Sequence, residues 1–121
     1  MEIRADPSGF ERWFVSAPEF DAEFEIFGNC PVQALGTVLG RELYFRARHV
    51  NWSFDIANAE GGLPSDGYRD SDGFYREGDY ADACWMPLRE GIKIITHCLE
   101  EYSGAVVRRE KCWPDPSPRE A

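Results

Sequence analysis

Apolar and polar residues alternate with a period of two through the first half of the chain, and with a period close to 3.6 near its end. Residues 20–27, Phe20-Asp21-Ala22-Glu23-Phe24-Glu25-Ile26-Phe27, put acids between apolar positions for nearly the whole run. This predicts a half-buried strand with its acids on the outer face, a charged strand of the kind that protects a sheet edge. Val32 to Val38 reads as the next strand, weakened at Gly36, and Leu39-Gly40-Arg41 as a tight turn. Leu43, Phe45 and Ala47 then alternate with Tyr44, Arg46 and Arg48. After a turn at His49-Val50-Asn51, Trp52, Phe54 and Ile56 alternate with Ser53 and Asp55. Short connections require antiparallel neighbours, so residues 32–57 predict a three-stranded meander, with 20–27 as a fourth strand. One face carries Phe, Leu, Trp and Ile; the other carries Tyr44, Arg46, Arg48 and Asp55.

The helical period belongs to residues 87–102. Leu88, Ile92, Ile95, Leu99 and Tyr102 form a single apolar stripe, Pro87 suits the first turn and Gly104 is placed for a C-cap. The stripe should cover the apolar face of the sheet. A short N-terminal helix over residues 8–16 is expected from the cap candidate Ser8 and from Phe10, Trp13 and Phe14 at i, i+3 and i+4, with Pro18 ending it. Residues 58–85 contain Gly61-Gly62, Gly67, Gly73 and Gly78 and no clear period. A loop of that length is often functional, with room for a short strand around Gly73-Phe74-Tyr75 or between Ala81 and Trp85. The expected fold is therefore α+β: an antiparallel β-meander of four to five strands packed by one C-terminal amphipathic helix, plus the short N-terminal helix. Residues 1–104 form the domain. Residues 105–121 form either a closing strand at Ala105-Val106-Val107 or a Pro-rich tail around Trp113-Pro114-Asp115-Pro116.

Charge narrows the function. The 121 residues carry 22 acids against 13 bases, a net charge of −9. Such a surface repels phosphate, which argues against nucleic acid and anionic membranes as direct partners, and it steers a basic protein toward the chain. It also serves solubility alone. No run approaches the ~18 apolar residues of a membrane helix, and Met1 to Pro7 lacks the charged-then-apolar signal pattern. Cys30, Cys84, Cys98 and Cys112 form no CxxC pair and match no zinc spacing. Reduced thiols and a cytoplasmic location are the expectation.

The densest cluster of chemistry is the loop. Asp66, Asp70, Asp72, Glu77, Asp79 and Asp82 alternate with Tyr68, Phe74, Tyr75 and Tyr80, and only Arg69 and Arg76 offset them. Aromatics supply contact area and carboxylates supply steering, so Asp66, Tyr68, Asp70, Asp72, Phe74, Glu77, Asp79 and Asp82 are the candidate partner-binding residues. Asp70, Asp72, Glu77 and Asp79 are expected to be exposed, with Tyr68 or Phe74 as an aromatic anchor. A solvated loop whose aromatics fold back onto the core is the plainer alternative. Asp70-Ser71-Asp72-Gly73 lacks the remaining ligands of an EF-hand loop, so no metal or cofactor is expected. Arg41, Arg46 and Arg48 suit an anion unless Asp55, Glu42 and neighbouring acids pair with them. His97 and Cys98 diverge by about 100° on a helix, which weighs against a Cys–His dyad. No GxGxxG, P-loop, GxSxG or HExxH is present.

In its general profile (small, acidic, without an active-site motif) the chain resembles phage and bacterial inhibitor and immunity proteins, a class that includes anti-CRISPR proteins and DNA mimics. The resemblance rests on size and charge, so it transfers no functional residue. The expected function is a non-enzymatic binding protein that engages a basic, nucleic-acid-binding type of protein as an inhibitor. The alternative is a small-molecule-binding or enzymatic domain with its site between loop 58–85 and the sheet.

Overall fold

Seven strands follow one another both in sequence and in space. The computed structural model describes residues 1–5, 12–28, 30–67 and 73–112. They form β1 (Glu2–Ala5), β2 (Arg12–Ala17), β3 (Ala22–Phe27), β4 (Val32–Val38), β5 (Arg41–Arg48), β6 (Asn51–Ile56), β7 (Phe74–Asp79) and α1 (Leu88–Cys112). The strands make one sheet in the order β1-β2-β3-β4-β5-β6-β7, with every neighbouring pair antiparallel. The meander is as expected, but it has seven strands rather than four or five. The strand at Ala22–Phe27 lies between β2 and β4 and is not an edge. Leu39 and Gly40, both at positive φ (52° and 77°), make the two-residue turn from β4 to β5.

Among the described residues, neither the N-terminal helix nor the closing strand forms. The residues read as an N-terminal helix include Trp13 and Phe14, which lie in β2, paired on one side with β1 and on the other with β3. Trp13 packs against the core and Phe14 faces the opposite way, so the real period there is two. Three aromatics are too few to distinguish the periods, and ladder hydrogen bonds to two neighbours decide the outcome. Ser8 and Phe10 lie outside the described residues. At the other end, α1 runs through Gly104 and the Ala105-Val106-Val107 segment to Cys112, so there is no closing strand at 105–107. Val106 packs against the core one turn beyond Tyr102 and prolongs the apolar stripe.

The core lies between the sheet and α1. Ile26, Leu43, Phe45, Phe54 and Ile56 of the sheet and Ile95 and Leu99 of the helix are fully buried, each stabilising the fold by about 1.5–3 kcal/mol. All five residues of the predicted stripe are buried. Phe74 joins them: its ring meets Phe54 edge-on at 6.2 Å and Tyr102 at 5.3 Å. Arg76 fastens β7 to the helix, donating from Nε to Glu101 at 2.9 Å.

Cys30 and Cys84 are joined by a disulfide, which corrects the expectation of reduced thiols for this pair. The two residues are 54 positions apart, and only the fold brings the β3–β4 connection beside the 3-10 turn Ala83–Trp85. There the Cys30 N–H also donates to the Cys84 carbonyl at 2.7 Å. Cys98 is a buried free thiol. No helix among the described residues is long and apolar enough to cross a membrane.

Candidate functional site

One helix covers one face of the sheet. The strand register defines what the other face displays. A row crosses all seven strands as Arg4, Phe14, Glu25, Leu35, Tyr44, Asp55 and Tyr75. Beside it runs Glu2, Ser16, Glu23, Thr37 and Glu42. On the other side lie Arg12, Phe27, Gln33, Arg46, Ser53 and Glu77. The central row thus mixes apolar and aromatic residues with Arg4, Glu25 and Asp55; carboxylates flank it on one side, and Arg12 and Arg46 stand with Glu77 on the other. Leu35 at the row's centre, between Glu25 and Tyr44, is 40% exposed.

Between β1 and β4 this face is hollowed to about 480 Å³, lined by Glu2, Arg4, Phe14, Ser16, Glu23, Glu25, Leu35 and Thr37 among others. Arg12 pairs with Glu25 at 3.3 Å. Glu2 and Glu23 form no ion pair among the described residues. The guanidinium of Arg4 lies 6.0 Å from the Phe14 ring centre.

Toward β7 the same face is partly roofed by residues 57–67. Asp55 is fully buried there. Its Oδ2 accepts the Ser65 N–H at 2.9 Å, and its Oδ1 has no hydrogen-bond partner. Arg46, diagonal to it, has a buried Nε without a partner, so the expected pairing of Arg46 with Asp55 does not form. Tyr44 donates to Gln33 at 3.2 Å and Tyr75 to Glu77 at 2.9 Å.

The sequence-predicted residues divide. Glu77, Asp79 and Asp82 are exposed, and Glu77 and Asp79 line a small hollow of about 270 Å³ with Asn51 and Gly78. Asp66 ends the 3-10 turn Pro64–Asp66. Phe74 is a core residue, which removes it as a surface anchor: its outward neighbours are Tyr75 and Glu77, one pleat over. Tyr68, Asp70 and Asp72, with the calcium-like stretch, lie outside the described residues. Sequence reasoning missed Phe14 and Leu35 as surface residues. It did place Glu23 and Glu25 outward, as edge protection and as partners for the arginines rather than as part of a binding face. Trp85, on the disulfide-linked 3-10 turn, is 64% exposed.

No family model, curated protein or solved structure matches this chain.

The chemistry of the remaining candidates is limited. Burial, reinforced by the nearby Glu101, pushes the Cys98 thiol up to about 12, which keeps it protonated and unreactive at neutral pH. His97 is exposed on the far side of the helix near Glu100 and Glu101. Cys30 and Cys84 are consumed by the disulfide. Among the described residues no group of three or more His, Cys, Asp or Glu is arranged to hold a metal ion.

Proposed function

We propose that this chain is a non-enzymatic binding protein whose helix-free sheet face docks on a basic protein surface. The observation that carries this reading is the outer face itself: Phe14, Leu35, Tyr44 and Tyr75 in one row, with Glu2, Glu23 and Glu42 beside it and Glu77 and Asp79 at the far edge. Interfaces favour an aromatic, apolar centre within a polar rim, and the net charge of −9 selects for positive partners. Surfaces that bind nucleic acid are positive for the same electrostatic reason. A partner of that kind would be blocked by this face, which makes the chain an inhibitor. Photo-crosslinking in a lysate of the native host tests the reading. A benzophenone side chain at position 35 should capture a basic protein, identified by mass spectrometry, in a yield that falls as salt rises. Equal capture from position 97 on the helix, or capture unaffected by salt, would exclude this face as the docking surface.

A second reading rests on Asp55. A fully buried carboxyl with one unpartnered oxygen, diagonal to an unpartnered Arg46 Nε, suits a small polar molecule that offers a donor and an acceptor together. Residues 57–67 must lift for it to enter. A thermal-shift screen of small amides and amidines against wild type and Asp55→Asn separates this reading from the first, since the first predicts no hit that depends on Asp55.

A further inference from the structure

We infer that the hollow between β1 and β4 is a receptor for an arginine side chain of the partner; this deepens, and rests on, the proposed docking of a basic protein. The hollow has a volume of about 480 Å³, ample for one long side chain. Phe14 and Leu35 in its lining match the aliphatic stem of a basic residue, which buries its methylenes while its head stays polar. Its rim is acidic. Glu2 and Glu23 sit in one row on either side of Ser16, two strand spacings or about 10 Å apart at the backbone. The small side chain between them leaves room for both carboxylates to lean over the same point.

Neither carboxylate has a cationic partner within the described residues, whereas Glu25 in the adjacent row is already matched by Arg12. The lining therefore presents three carboxylates and a single guanidinium, that of Arg4, and two of the three are unmatched among the described residues. A planar guanidinium with five donors can be met from two sides by Glu2 and Glu23 and can lie over the face of the Phe14 ring; an ammonium is a compact point charge and cannot span both. Arg4 shows that a guanidinium is accommodated beside Phe14.

The probes are hexa-arginine and hexa-lysine peptides, titrated into the whole chain by calorimetry and by amide chemical shifts, with melting temperature as the folding control. Hexa-arginine should shift the amides of Phe14, Ser16 and Leu35 and bind more tightly than hexa-lysine. Glu2→Gln with Glu23→Gln should weaken it by about tenfold or more, as expected for lost hydrogen bonds between charged groups, and Phe14→Ala should weaken it without affecting hexa-lysine to the same degree. Equal affinity for the two peptides overturns the arginine assignment. Binding that survives Glu2→Gln with Glu23→Gln but is lost on Glu77→Gln with Asp79→Asn overturns the hollow while leaving the docking face in place. Failure of both peptides to bind the wild type at low salt overturns both.

Discussion

Gly36 of β4 stands opposite Phe24 of β3, so close that a Cβ on Gly36 would lie 2.5 Å from the Phe24 Cα and would also collide with the Glu23 carbonyl oxygen. Both obstacles are backbone or its immediate attachment and cannot rotate away. The glycine that looks like a weakness in a strand is the residue that lets β3 and β4 approach beneath the outer hollow. Gly36→Ala should destabilise the protein by about 1–3 kcal/mol or more through overpacking, seen as a lower denaturant midpoint. An unchanged midpoint would mean the two strands separate freely there.

Phe74 offers a direct test of the core assignment. Its ring is clamped between Phe54 and Tyr102, so Phe74→Ala should cost about 3–5 kcal/mol. Leu99→Ala, fully buried on the helix side, should cost about 2–5 kcal/mol. By contrast, the Arg76–Glu101 pair is half exposed on both sides, and a double-mutant cycle should return a coupling below about 1 kcal/mol.

The Cys30–Cys84 bond closes a loop of more than fifty residues. Replacing both cysteines by serine should lower stability by about 2–4 kcal/mol, since cross-linking a long loop restricts the unfolded chain. A reducing agent should lower the melting temperature of the wild type and leave the double variant unchanged.

Cys98 predicts the alkaline limb of the stability curve. Burial raises its thiol from an ordinary 9.0 to about 12 in the folded chain. The unfolded chain therefore loses this proton first. The contribution is fully present below pH 9 and is lost as pH rises through about 12. Cys98→Ala should flatten the fall in stability over that window, measured by urea titrations at stepped pH.

Asp55 anchors the segment above it through the Ser65 N–H. Asp55→Ala leaves that donor without its acceptor, a loss of about 1–3 kcal/mol if the amide stays buried. Hydrogen exchange at Ser65 should accelerate well beyond that at Phe54. Equal protection in the variant would show that other contacts hold the segment.

How legible all this was in the sequence depends on which residues carried a period. The alternation from Ala22 to Ile56 gave β3 to β6 their faces and nearly their ends, because outward polar and inward apolar positions were cleanly separated. It failed at β1, where four exposed residues bury too little to leave a pattern, and at β2, where outward Phe14 and inward Trp13 look alike by composition. In β7 the outward Tyr75 is aromatic, and Gly78 occupies an inward position because a Cβ there would strike the Trp52 ring at 2.7 Å; both blur the alternation. The acids of the loop were visible, but the docking face is assembled from single outward residues of separate strands. Nothing in the spacing of Glu2, Ser16 and Glu23 announces that they share a row.

The identity of strand order and chain order has a consequence for synthesis. Each hairpin pairs residues close in sequence, so it can close as soon as its second strand leaves the ribosome, without waiting for distant partners. The helix that covers the inner face is made after every strand. Until Leu88 and the residues beyond it emerge, the nascent sheet holds Ile26, Phe45 and Phe54 toward water, together with an open strand edge. Such surfaces are what make partly made chains aggregate. The chain's most vulnerable interval is therefore the completed meander awaiting its helix, and slowing translation at that boundary would prolong it.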